Sequence, residues 1–123
     1  MAIVKAKAGK GSLSDVFNYV LDKEKTDDTL ISSKDCMAET AQKEFELTKH
    51  RFGKTDGRTY FHIVQSFSPE DDITPYEANN IGLEFAEFFD GYQVLVVTHT
   101  NREHLHNHII VNSVSFEDGK KLH

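Results

Sequence analysis

The sequence predicts an α+β domain, an antiparallel β-sheet with helices packed on one face. Three observations lead there. β-Rich runs at 2–8, 58–67, 92–99 and 106–112 are separated by stretches with helical spacing. The last two runs are joined by a short polar connection, as in a hairpin. Each helical stretch has an apolar stripe on one side and polar residues on the other. The order is β-α-α-β-α-β-β, and 123 residues suffice for one domain with one core.

Ala2-Ile-Val-Lys-Ala-Lys-Ala8 alternates as a strand does and puts Lys5 and Lys7 on one side. Gly9-Lys-Gly11 is a turn; it lacks the Walker spacing of a phosphate loop. Ser12 fits a helix N-cap with Asp15 near the positive end of the dipole. Leu13, Val16, Phe17, Val20 and Leu21 then form a buried stripe. Tyr19 falls roughly 130° from the middle of that stripe. It reads either as a half-buried residue at the helix edge or as a group free for chemistry.

Residues 23–33 are polar and read as a loop. Met37, Ala41, Phe45, Thr48 and Phe52 mark a second helix, closed by Gly53. Residues 58–67 form a strand in which His62 shares a face with Tyr60 and Val64. Thr74-Pro-Tyr-Glu77 has the N-cap, N1 proline and N3 glutamate of a third helix. Its apolar face comprises Ala78, Ile81, Phe85 and Phe88, and it runs to about Asp90 before Gly91. Asp118-Gly119 signals a two-residue turn into a strand that has barely begun at His123. The sequence is therefore expected to be truncated at its C-terminal end.

The densest chemistry lies in residues 99–108, which hold four of the seven histidines. His106 and His108 run into Ile109-Ile-Val111, so both imidazoles share a strand face. If residues 101–104 form the hairpin loop, Thr100 pairs with Leu105 and His99 lies opposite His106. Three neutral imidazoles on one patch suit an open, catalytic metal centre. The alternative set, His104, His106 and His108, spaces its members roughly 7 Å per step, too wide for one small ion. His104 then sits in the loop near the site. Asn112 shares the histidine face and is a second candidate neighbour, although a structural partner would explain it equally well.

Composition narrows the function classes. Net charge is −6 and the sequence pI is near 5.6, unlike a generic nucleic-acid binder. The positive charge is local, however: Lys5, Lys7 and Lys10 at the N-terminus, and Arg51, Lys54 and Arg58 later, are candidate DNA contacts. The single Cys36 cannot form an internal disulfide, which suits the cytoplasm. No apolar run approaches the ~20 residues of a membrane span.

Three motifs, in order, resemble those of the relaxases, mobilisation nucleases of conjugative plasmids and integrative elements in the HUH endonuclease superfamily. Asn18-Tyr19-Val20, with Glu24-Lys25-Thr26, resembles the motif holding a nucleophilic tyrosine. Tyr60-Phe-His-Ile-Val-Gln-Ser-Phe67 before Ser68-Pro69 resembles the second. Thr98-His-Thr-Asn-Arg-Glu-His-Leu-His-Asn-His-Ile-Ile-Val-Asn112 resembles the third. The resemblance implies a ferredoxin-like palm and a metal on His99, His106 and His108, with Mg²⁺ or Mn²⁺ as cofactor. It implies that Tyr19 nicks one DNA strand at an origin of transfer through a 5′-phosphotyrosyl intermediate. The partners would be single-stranded or hairpin DNA and other relaxosome proteins. Asn101 stands where many relatives carry aspartate, so its role beside a ligand differs; His62, His104 and Asn112 are the other candidate neighbours. Two rival functions are a metal-dependent nuclease or hydrolase without a covalent tyrosine, and a non-catalytic DNA-binding mobilisation module.

Overall fold

A computed structural model describes residues 2–122. Five strands form one sheet: β1 (Ala2–Gly9), β2 (Ile31–Lys34), β3 (Tyr60–Phe67), β4 (Val94–His99) and β5 (His106–Asn112). Their spatial order is β1-β3-β5-β4-β2, and every pairing is antiparallel. The helices are α1 (Leu13–Val20), α2 (Ala41–Arg51) and α3 (Pro75–Ala86). The expected α+β class with an antiparallel sheet is what forms. No helix of the described residues is long and apolar enough to cross a membrane.

Two features of the arrangement differ from expectation. The segment expected to be loop contains most of β2, which follows a single 3₁₀ turn capped by the Asp27 carboxylate on Thr29 N–H. Four residues, two of them serine, carry no periodic apolar signal; edge pairing with β4 holds them. The helices also lie on both faces of the sheet, not one. Leu13, Val16, Phe17 and Val20 of α1 and Phe45 of α2 pack on Leu95, Val97 and Ile110. Ala86 of α3 packs with Val94, Val96, Ile109 and Val111 on the other side. The cause is visible in β4 and β5, where Val94-Leu-Val-Val97 and Ile109-Ile-Val111 are apolar without alternation. A strand that reads so must be covered twice.

Smaller corrections follow from helix ends. Met37 is 64% exposed and precedes α2, where its N–H donates to the Glu44 carboxylate at 2.8 Å. α3 starts with the expected capping box on Thr74 and Glu77 but ends at Ala86, which leaves Phe88 exposed. Its buried face is small, Ala78, Asn79, Gly82 and Ala86. At Gly82 a Cβ would lie 2.7 Å from Asn107 Nδ2 and Val96 Cγ1, so the close approach requires glycine. At the C-terminal end, Val114 bridges Lys121, and Ser115 N–H donates to the Lys120 carbonyl at 2.9 Å. The turn between them is thus four residues long rather than two, with Gly119 at φ +75°. His123, the last residue of that expected hairpin, lies outside the described residues.

A buried polar cluster ties α2 to the far end of β5. Lys49 Nζ donates to Asn112 Oδ1, and Asn112 Nδ2 donates to Gln93 Oε1 at 3.0 Å and the Phe45 carbonyl at 3.2 Å. Burial holds the Lys49 ammonium down to about 8. The native state therefore binds fewer protons than the unfolded chain between about pH 8 and the ordinary lysine value near 10.4, and this group's contribution to stability rises with pH through that window. Lys49→Met is expected to flatten that rise. Urea unfolding of both proteins at pH 7, 8, 9 and 10 measures it; parallel curves would mean that the ammonium is not strained.

Candidate metal centre

Sheet register assembles the site. The row Ile3–Ser66–His106–His99 crosses β1, β3, β5 and β4, and the next row runs Lys5–Val64–His108–Val97. Residues in register on neighbouring strands point to the same face. His99 and His106 are thus directly opposed, as the hairpin argument expects, and His108 lies one row further on. The connection differs, because Thr100 and Leu105 do not pair with each other. Thr100 N–H donates to the Lys25 carbonyl at 2.8 Å, and Leu105 offers its carbonyl to Phe67 N–H at 3.0 Å.

The three rings gather tightly. Centroids are 5.5 Å apart for His99–His106, 4.1 Å for His99–His108 and 5.2 Å for His106–His108. One nitrogen from each lies within 4.8 Å of the others. His99 Nε2 donates to the Val20 carbonyl at 2.8 Å, and His106 Nδ1 to the His104 carbonyl at 3.1 Å. Those bonds leave His99 Nδ1 and His106 Nε2 as lone pairs. His108 Nδ1 meets His62 Nε2 at 2.7 Å, and His108 Nε2 is buried without a hydrogen-bond partner among the described residues. Such an orphan atom is costly. A cation accepting three nitrogen lone pairs satisfies it, so the donor set fits a metal.

The electrostatics keep the imidazoles in ligand form. Burial, followed by the neighbouring imidazoles of His99, His62 and His106, pushes His108 down to about 2. Burial also lowers His99 and His106, against the opposing pull of the carbonyls they donate to. His62 is lowered by burial first, then by His99 and Lys7. All four are thus biased toward the neutral form that binds a cation.

Tyr19 stands beside this cluster, 44% exposed. Its ring centroid is 6.0 Å from that of His99 and 5.5 Å from that of His108. The His99 anchor, the carbonyl of Val20, is the very next residue, so α1 positions phenol and imidazole together. Lys25 Nζ lies 4.0 Å from the Tyr19 ring centroid. Lys25 sits in a quoted motif, but nothing in its spacing reveals that contact.

The other candidates scatter. His62 is at the site, bonded to His108. His104 is exposed, and its carbonyl accepts from His106 Nδ1. Asn101 is exposed in the loop. Asn112 shares the face but belongs to the Lys49 cluster, six residues or roughly 20 Å along β5 from His106. Lys5 and Lys7 lie on the histidine face of edge strand β1. Lys10 and Arg58 line a cavity at the opposite end of the sheet. Arg51 stacks on Phe52 at 5.1 Å, and Lys54 Nζ donates to the Gly119 carbonyl.

Residues 19–123 match the family described as relaxase, MobA/VirD2-like, nuclease domain. The chain belongs to this relaxase family. Among curated relatives, it is 41% identical over 92 residues to a protein named rlx from Staphylococcus aureus. That match covers 74% of this chain and 28% of that protein. It is 47% identical over 63 residues to the group II intron-interrupted relaxase LtrB of Lactococcus lactis subsp. cremoris, which covers 50% of this chain and 11% of that protein. This relaxase sequence thus spans less than a third of the length of the relatives it matches.

Inside the relaxase domain, the His62–His108 bond is a direct side-chain support for one of the three candidate ligands. If His108 binds through Nε2, its Nδ1–H donates to His62. His62→Phe keeps the ring and removes the acceptor, and is expected to weaken metal binding by about 10- to 100-fold. His62→Gln, which restores an acceptor, should recover part of it. Titration calorimetry with Mn²⁺ checks both, and unchanged affinity in His62→Phe would remove His62 from the site.

Proposed function

We propose that this domain nicks one strand of DNA at an origin of transfer and holds the cut end covalently on Tyr19. Support comes chiefly from one observation, the phenol ring of Tyr19 in edge contact with His99 and His108, two members of the three-histidine cluster. The Tyr19 oxygen attacks the scissile phosphorus in line, and the bond from phosphorus to the 3′-oxygen breaks. A 5′-phosphotyrosyl link forms and a 3′-hydroxyl leaves. The proton given up by the phenol balances the one taken by the departing oxygen. A neutral phenol is a weak nucleophile, so it needs a positive field. Lys25 supplies one from 4.0 Å above the ring. Mg²⁺ or Mn²⁺ held by His99, His106 and His108 would neutralise charge on the non-bridging oxygens and orient the phosphate.

Because the link conserves a phosphodiester, the same phenol can return the strand to a 3′-hydroxyl. Lys5 and Lys7, on the histidine face of β1, would follow the DNA backbone. We further assign the work to the cytoplasm, together with other relaxosome proteins. The test is incubation with a labelled single-stranded origin oligonucleotide and Mn²⁺ or Mg²⁺, followed by denaturing electrophoresis. A protein–DNA adduct that survives denaturation is expected. Cut DNA without adduct would replace the reading with hydrolysis; bound but uncut DNA would replace it with a binding module.

A further inference from the structure

We propose that the cavity at the far end of the sheet is a second phosphate site, which grips the single-stranded DNA backbone several nucleotides from the scissile position. This rests on the function proposed above. The cavity measures about 300 Å³ and is lined by Lys10, Gly57, Arg58, Ser113, Lys121 and Leu122. Register explains the convergence. Gly9, Tyr60 and Asn112 share one row across β1, β3 and β5, so the chain just beyond that row brings Lys10, Arg58 and Ser113 together.

Three cations and no carboxylate line it. Among the described residues, neither Lys10 nor Arg58 is in an ion pair. Lys121 Nζ spends one hydrogen on the Asp56 carbonyl at 3.2 Å and keeps two. Ser113 is 1% exposed, and its hydroxyl has no hydrogen-bond partner among the described residues. A buried hydroxyl donor in the lining of the same cavity as two ammonium groups and a guanidinium matches the acceptor oxygens of a phosphodiester.

DNA is the source favoured by what lies between. Lys5 and Lys7 stand on the histidine face of the same edge strand, which ends at Gly9, one residue before Lys10. His108 and Ser113 are five residues apart, roughly 17 Å of strand, and Leu122 of the cavity packs on the face opposite the histidines, so the DNA would round the end of the sheet to reach it. At ~3.4 Å per stacked nucleotide, that separation is about five nucleotides, and fewer if the strand is extended.

Fluorescence anisotropy in EDTA, where no cutting occurs, measures binding of origin oligonucleotides 3 and 12 nucleotides long. Lys10→Gln with Arg58→Gln is expected to weaken the 12-mer about tenfold and leave the 3-mer within about twofold. Ser113→Ala should weaken the 12-mer about threefold. In the native protein, replacing one phosphate three to five nucleotides from the nick by neutral methylphosphonate should cost about tenfold; the same replacement should cost the double variant nothing. Equal losses for both lengths, or a methylphosphonate cost that is the same in both proteins, would overturn the site. So would competition in which inorganic phosphate binds the cavity while the 12-mer ignores it. Adduct formation by the native protein with Mn²⁺ is the separate readout of the nicking chemistry. A failed phosphate contact with a normal adduct therefore sinks this proposal alone, and a confirmed contact without adduct sinks only the nicking chemistry.

Discussion

Tyr19→Phe is expected to abolish the covalent DNA adduct, lowering its rate by at least about a thousandfold, or about 4 kcal/mol in the barrier. The substitution removes one oxygen and little else. The ring keeps its edge contacts with His99 and His108 and its place under Lys25. With 44% of the residue exposed, folding stability should stay within about 0.5 kcal/mol. Mn²⁺ affinity and DNA binding in EDTA should stay within about twofold. Gel shift, calorimetry and denaturing electrophoresis on the same preparation separate these quantities. An adduct that survives in Tyr19→Phe would place the nucleophile elsewhere. Cutting that survives without an adduct would make Tyr19 a structural residue beside a hydrolytic metal.

The second large effect is expected at His108. His108→Ala removes the candidate ligand with the buried orphan nitrogen, and metal affinity should fall by at least about a hundredfold, more than for the supporting His62. An all-nitrogen set also predicts an order: Mg²⁺, which prefers oxygen, should bind more weakly than Mn²⁺, and Mn²⁺ more weakly than Co²⁺ or Ni²⁺. Thermal scans report this directly, since a ligand that binds only the native state raises its stability by mass action. The native protein should melt higher as metal is added, and His108→Ala should not respond. Without metal the substitution should help in acid. The native state holds His108 below its ordinary value, so the unfolded chain binds more protons below about pH 6.5 and acid favours unfolding. Alanine lacks that proton site, and the metal-free variant should lose less stability than the native protein between pH 6.5 and 4. An equal metal response in both proteins would show that the ion binds without this ring.

Much of the site is legible in the sequence, because it is made of local rules. Alternation in β5 and a short connection to β4 suffice to oppose His99 and His106 and bring His108 to the same face. The same parity includes Asn112, where the rule misleads: parity gives the face and says nothing about the distance along it. Long-range partners were invisible for a related reason. The His62–His108 bond depends on the register of β3 against β5, and the His99–Val20 bond on how α1 lies across the sheet. Neither is written in spacing along the chain. Strand β2 escaped because its stability comes from the β4 edge. The second covered face was in fact signalled, by the uninterrupted Val94-Leu-Val-Val97. Asn107 shows the same double coverage in polar form. It points away from the histidines and bonds Thr98 at 2.6 Å, Gln65 at 2.9 Å and the Ala78 carbonyl at 2.7 Å.

The imidazoles sit within paired strands, whereas Asn101, Arg102 and Glu103 at the hairpin tip are exposed. The cradle and the tip are therefore separable in design. Lengthening or rewriting those three positions should leave the ion's seat standing while changing what the rim of the site touches. Cradle and rim can therefore vary independently, because the strand pairing that holds the imidazoles does not pass through the tip.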